Sequence, residues 1–147
     1  MPAYPYYDMH TALATLLAGV QVDGVSAITQ VSKYPSNQFT GYPAISVYPS
    51  RIDADYADVA NNRRRYVFTV EIFVGIEGSV NTMTSLYEKG TKLLDAVIDA
   101  IDKSLDLGGV ADFVRPAPSQ WFIDQSSAGA AIVAPVSVIC EKIIYIK

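Results

Sequence analysis

Residues 65–76 constrain the fold more strongly than any other part of this 147-residue chain. The side chains of a β-strand alternate between two faces, and one face of this segment carries only aromatic and aliphatic residues. The other face mixes Val67 and Phe73 with two polar residues. A strand that is apolar on both faces needs cover on both. We therefore expect a buried strand here, with part of its cover able to come from another chain.

The apolar period becomes helical between residues 83 and 107, where Gly108 and Gly109 follow in the place of a C-terminal cap. A shorter helical pattern begins at Asp8 and ends before Gly19. The sequence thus predicts two helices, over about 8–18 and 83–107. The buried stripe expected on the second helix consists of Leu86, Leu93, Leu94, Val97, Ile98, Ile101 and Leu105.

The remaining strands are short or come late in the chain. They are expected over residues 25–32, 43–48 and 110–115, the last resuming around 120–123, and over about 131–145. The order is α-β-β-β-α-β-β, and no repeat or Gly/Ser/Pro-rich linker divides the chain. This order predicts one α+β domain spanning residues 1–147, a mostly antiparallel β-sheet packed with two helices.

Composition weighs against several functional classes. Fifteen acidic residues against eleven basic ones disfavour a nucleic-acid binder that neutralises phosphates. One histidine and one cysteine leave little material for zinc or Cys/His chemistry, and no phosphate-binding loop or nucleophile elbow occurs. We expect no enzyme, no cofactor and no metal. A small cytoplasmic enzyme using His10 or an aspartate pair is the alternative of a different class.

The start of the chain and its apolar stretches predict the compartment. The first basic residue is Lys33, so no early positive charge marks a secretory signal. The longest nearly apolar stretch, residues 130–140, is shorter than the roughly 20 residues that span a bilayer. Cys140 has no partner cysteine, which suits a reducing cytoplasm, and it is expected to be a small buried apolar residue.

Charge is concentrated in residues 51–65, which hold four of the five arginines and three aspartates. This connection is far longer than a hairpin turn, and long ordered loops are usually functional. Its acidic residues mostly precede its basic ones, so it is complementary to a copy of itself, and arginine is preferred at interfaces. A solvated loop is the alternative, and nucleic-acid binding is a weaker one. The predicted interface residues are Arg51, Asp53, Asp55, Tyr56, Asp58, Asn61, Asn62, Arg63, Arg64 and Arg65.

A family resemblance rests on this part of the chain. Residues 42–49 read YPAISVYP, the acidic stretch follows, and NNRRR at 61–65 leads into the strand that reaches Val74. Together they resemble the tail terminator, or tail-completion, proteins of long-tailed bacteriophages. The order of elements is similar over most of the chain, whereas the specific part lies between about Tyr42 and Val74.

The resemblance implies a virion structural protein, assembled in the host cytoplasm, at the neck end of the tail. Its subunits would close into a ring, typically a hexamer, that caps the finished tail tube and stops its polymerisation. The implied partners are the chain itself, the tail tube protein and the head-tail connector or neck protein. DNA is expected only as the passing genome, and no membrane is involved. The alternative within the same neck is a head-closure or head-tail joining protein.

Two residue groups acquire expectations from this role. Carboxylates spaced by four, three and four residues should share one face of the second helix, either as a solvated face or as an acidic surface lining the ring lumen that repels DNA phosphate. These residues are Asp95, Asp99, Asp102 and Asp106. Tyrosine is common at protein interfaces, and seven of the ten tyrosines fall outside or at the ends of predicted core elements. They are Tyr4, Tyr6, Tyr7, Tyr34, Tyr42, Tyr48 and Tyr56.

Overall fold

The computed structural model describes residues 4–36, 39–56, 61–75, 82–126 and 129–145. Two helices and eight strands occur within these residues. The helices are α1 (Pro5–Ala18) and α2 (Thr82–Lys103). The strands are β1 (Gln21–Val22), β2 (Val25–Ser26), β3 (Gln30–Ser32), β4 (Ala44–Tyr56), β5 (Asn61–Gly75), β6 (Phe113–Pro118), β7 (Phe122–Ser126) and β8 (Gly129–Tyr145).

One sheet of six strands organises the chain, in the order β3-β4-β5-β8-β6, with β7 also paired to β8. Among the described strand pairs, β3–β4 is parallel and the others are antiparallel. The predicted α+β class, a mostly antiparallel sheet with two helices, is confirmed. The strand expected over residues 25–32 is divided into β2, which forms a small hairpin with β1, and β3, which joins the sheet.

The two helices cover the same face of the sheet. Phe68, Val70 and Ile72 of β5 belong to one buried cluster with Leu13 of α1 and Val97 of α2, and each is at most 1% exposed. Burying a side chain of this size stabilises the fold by roughly 1.5–3 kcal/mol relative to leaving it in water. The face predicted from the alternation in residues 65–76 is therefore the core of the domain, and Ile76 lies outside the described residues.

The second face of β5 receives cover from its own chain at one end. The Phe39 ring lies 5.0 Å from the Phe73 ring, centroid to centroid, and Phe73 is buried. Tyr42 lies over Gly75, where an added Cβ would come within 2.6 Å of the tyrosine ring. The expected cover from another chain is not needed at this end, because the segment before β4 supplies two aromatic rings.

The second helix ends earlier than its sequence pattern suggests. It stops at Lys103, and a turn follows in which Leu107 and Gly108 have positive φ angles of 51° and 72°. Leu105 is consequently 62% exposed, and Leu107 is buried in its place. Leu93, Val97 and Ile101 are buried as predicted, Leu94 and Ile98 are half-buried, and the side chain of Leu86 lies outside the described set.

The prediction of a long loop over residues 51–65 was wrong, and this is the larger difference between sequence and structure. Strand β4 continues to Tyr56 and β5 begins at Asn61, so most of the segment is an antiparallel hairpin. The hairpin forms because β8 extends to Tyr145 and pairs with residues 61–65 on the other side. Backbone hydrogen bonds from two neighbours hold this polar segment in strand geometry. Its turn, residues 57–60, lies outside the described residues.

Candidate functional site

Three strands continue beyond the helix-covered core and form a projection that we term the β-finger. It consists of residues 51–56 of β4, 61–65 of β5 and 141–145 of β8. None of these residues belongs to the described hydrophobic core. At about 3.3 Å per residue, five residues extend the sheet by about 17 Å. The charged segment found in the sequence thus occupies one end of the molecule.

The charges of the β-finger form a ladder across its three strands. Asp53, Arg65 and Glu141 lie directly opposite one another in the strand register. Arg65 Nε donates to Glu141 Oε1 at 2.8 Å, and Arg51 Nε donates to Asp53 Oδ2 at 3.0 Å. The Arg65 and Glu141 side chains are 34% and 26% exposed, so this pair is partly shielded from water. Part of the charge complementarity expected between copies is therefore already satisfied within one chain.

The other residues predicted in this segment divide between the two faces of the β-finger. Arg64 points toward the helix side and donates from Nη1 to the Tyr66 hydroxyl at 3.3 Å. Arg63 is half-buried and lies opposite Asp55 in the register, and Asn61 is also half-buried. Asn62 is 3% exposed. Asp58 and the side chains of Asp55 and Tyr56 lie outside the described set.

Tyr6 of α1 secures the junction between the β-finger and the core. Its hydroxyl donates to the backbone oxygens of Arg51 and Val67, each at 3.3 Å, where the β4–β5 register shifts between Pro49 and Arg51. Its ring packs 5.0 Å from that of Tyr66, centroid to centroid, and burial raises the pKa of Tyr6. This contact fixes the base of the projection to the first helix.

His10, the candidate of the enzyme alternative, lies on the same helix. Its Nε2 donates to the backbone oxygen of Val47 at 2.9 Å, and its ring stacks on Phe68. A carbonyl oxygen can only accept, so Nε2 carries the proton. The histidine binds a strand carbonyl and packs on the core, which is a structural arrangement.

The tyrosines predicted at partner surfaces fall into two groups. Tyr4, Tyr7 and Tyr34 are 63–66% exposed. Lys33 Nζ lies 5.3 Å from the centre of the Tyr7 ring. In contrast, Tyr6, Tyr42 and Tyr48 are partly buried against the chain itself, and the side chain of Tyr56 lies outside the described set. The first group is the part of the tyrosine set that remains open to a partner.

The acidic stripe on the second helix is shorter than expected. Asp95, Asp99 and Asp102 are exposed on α2 around a shallow depression of about 480 Å³. Asp99 pairs with Lys103 at 2.8 Å, which raises the pKa of the lysine. Asp106 lies beyond the helix end, where its Oδ1 accepts a hydrogen bond from the Gly108 amide. Three carboxylates, one of them neutralised, thus remain on the helix face.

A polar cluster on the sheet face opposite the helices was not found from the sequence. The Tyr48 hydroxyl donates to the Glu71 carboxylate, and Ser50 and Thr69 are joined through their hydroxyls. Burial, followed by the hydrogen bond to Glu71, raises the pKa of Tyr48 to about 12. Alternation places these residues on one face of each strand, but only the β4–β5 register shows which of them meet.

The fold and the site define an α+β protein with helices on one sheet face and a charged β-finger at one end. A scan against models of known protein families matches none, and a search of curated proteins finds no relative. Within the described part of the chain, no three His, Cys, Asp or Glu side chains gather where they could hold a metal ion. Neither α1 nor α2, as far as described, is both long and apolar enough to span a bilayer.

Proposed function

We propose that this chain is a bacteriophage virion protein that caps the tail tube as a hexameric ring, stops its polymerisation and provides the docking surface for the head connector. The resemblance over residues 42–74 supports the proposal, and so does the order of helices and strands that the fold shares with the expectation. In this role the partners are other copies of the chain, the tail tube protein and the neck.

The main structural support for the proposal is that the two ends of the molecule carry different surfaces. A tube grows because every added ring exposes the same docking surface again, so a terminator must offer its two neighbours different surfaces. Here one end carries the charge ladder of the β-finger, and the other end carries Phe39 over Phe73 and Tyr42 over Gly75. In this arrangement the two ends face the tube and the neck, and head-to-tail contacts between the sides of neighbouring subunits close the ring.

The carboxylates of α2 are assigned to the lumen in this proposal. Asp95 and Asp102 make no described ion pair, so no described cation offsets these two carboxylates. A negative wall repels phosphate and lets DNA move without binding. Particles carrying Asp99→Lys together with Asp102→Lys should assemble but eject their genome slowly, and normal ejection would remove this assignment.

The decisive experiment is electron microscopy of phage particles assembled without this protein. Overlong tails without heads are expected, because nothing stops the tube. Tails of normal length that fail to join heads would favour a head-closure or joining protein instead, and normal infectious particles would overturn both roles.

Complementation then tests the β-finger directly. Supplying the Arg63→Glu variant should leave overlong tails, because the projecting end has lost a cation. Arg115→Glu is the control, since Arg115 is also a strand arginine but lies on β6, outside the β-finger, where it is exposed. If both variants restore normal tail length equally, the charge of the β-finger is not required for tail termination.

A further inference from the structure

Two strand edges beside the core carry features that hinder pairing with another chain. On one side, β6 carries Pro116 and Pro118, which have no N–H to donate. On the other side, β3 covers the first residues of β4, and His10 Nε2 occupies the carbonyl of Val47. Natural sheets use such devices to prevent edge-to-edge association.

From Ile52 onward, the outer edge of β4 in the β-finger has none of these devices, whereas the Arg51 carbonyl accepts a hydrogen bond from Tyr6. Among the described residues, no strand pairs with the outer side of residues 52–56, no side chain hydrogen-bonds to their backbone, and no proline interrupts them. Arg51, Ile52, Asp53 and Ala54 are all exposed, and Ile52 is 49% exposed despite its apolar side chain. Unpaired edge N–H and C=O groups are a template for an added strand.

We propose that this edge pairs with the same edge of a second copy, antiparallel across a two-fold axis, with Ile52 opposite its own counterpart. In that register, Arg51 of each chain lies opposite Asp53 of the other. Opposite charges directly across a strand pair are stabilising, and like charges are destabilising. The two exposed isoleucines meet on the face that carries Ala54.

Charge selects this register over its neighbours. If the register shifts by two residues in one direction, Asp53 lies opposite Asp53 of the other chain. If it shifts by two residues in the other direction, Arg51 lies opposite Arg51. Both shifts place like charges directly opposite each other. A shift of one position is excluded because it sets side chains of one face against those of the other. Arg51 and Asp53 already contact each other within one chain at 3.0 Å, so pairing exchanges partners without leaving either charge alone.

Disulfide cross-linking tests the register. Directly opposite residues of an antiparallel pair have Cα atoms about 4.5–5.5 Å apart, which fits a disulfide. Ile52→Cys should therefore give a covalent dimer on mild oxidation, while native Cys140 stays silent because it is fully buried. Ala54→Cys is the matched control: it is also exposed on this strand but lies opposite Ser50, so it should stay monomeric. No cross-link at position 52, or equal cross-linking at both positions, would overturn the proposal.

A charge exchange tests the contact without cysteines. In sedimentation, the native chain should have the mass of a dimer, and Arg51→Asp should have that of a monomer because carboxylates then face each other. Adding Asp53→Arg to Arg51→Asp should restore the dimer, since the pairs are re-formed in reverse. A native monomer, an unaffected single variant or an unrescued double variant would contradict the pairing. The inference concerns the free chain and does not rest on the proposed function, whose test is tail length.

Discussion

The core under the helices and the β-finger use the same three strands in opposite ways. In the core, β4, β5 and β8 contribute apolar residues such as Val47, Phe68 and Val138, each with no exposed surface. In the β-finger, the same strands carry alternating charges that meet across the register. The difference assigns stability to the core and leaves the β-finger free for contacts, because partly exposed ion pairs contribute little to folding.

The largest expected effect comes from emptying the centre of the core. Phe68→Ala should lower the free energy of unfolding by about 3–5 kcal/mol, the usual range for a fully buried aromatic residue. Ile143→Ala, at a half-buried position in the β-finger, should cost only about 1 kcal/mol. Urea unfolding of the two variants measures both values. Equal losses would mean that the β-finger is an integral part of the core.

A smaller effect is expected where the chain covers its own sheet. Gly75→Ala places a Cβ 2.6 Å from the ring of Tyr42, so the ring must move away from the strand. We expect a loss of about 1–3 kcal/mol, typical of overpacking. Gly19→Ala is the control, because its added Cβ meets nothing closer than 3.7 Å. If thermal unfolding shows no difference between the two variants, the ring of Tyr42 does not close this face.

Alkaline pH should weaken the core through Cys140. Burial raises the pKa of this thiol from 9.0 to about 12 in the folded chain. The unfolded thiol loses its proton above pH 9 while the folded thiol keeps it, so the free energy of unfolding is unaffected below pH 9 and falls as pH rises toward 12. At pH 10 the loss is about 1.4 kcal/mol.

Urea titrations at pH 7 to 10.5 measure this loss, and Cys140→Ala should remove it. Tyr48→Phe is the companion variant, because the raised pKa of Tyr48, about 12, acts in the same direction between pH 10 and 12. An unchanged alkaline slope in the Cys140→Ala variant would show that the thiol is hydrated in the folded chain.

Local pattern was enough to predict the core but not the β-finger. The strand expected at residues 65–76 and the helix expected from residue 83 lie close to β5 (Asn61–Gly75) and α2 (Thr82–Lys103). In each element, the spacing of the apolar residues indicates which face packs against the core. The helix end was misplaced because Leu105 continues the apolar period, whereas the turn through Leu107 and Gly108 determines where the chain leaves the helix.

The charge composition of residues 51–65 was enough to locate the candidate site in the sequence, but it did not predict that the segment forms strands. Charged residues in a block resemble a loop, and the partner that makes residues 61–65 a strand is β8, whose Glu141 lies 76 residues after Arg65. Strand pairing between residues so far apart in the chain produces no recognisable pattern in the local sequence. Sequence reasoning therefore identified the arginines and aspartates and missed that Arg65 is neutralised within its own chain.

The smallest predicted effect measures how independent the β-finger is. In a double-mutant cycle, Arg65→Met and Glu141→Gln should show a coupling free energy of about 0.5–1 kcal/mol. Neighbouring strands lie on both sides of the pair, but the two side chains are still 34% and 26% exposed. The coupling should shrink as salt rises from 0.05 to about 0.5 M, since salt screens exposed charges. The Arg51–Asp53 pair, which is more exposed, should give the lower value of the two. A salt-independent coupling well above 1 kcal/mol at Arg65 would instead place this part of the β-finger with the core.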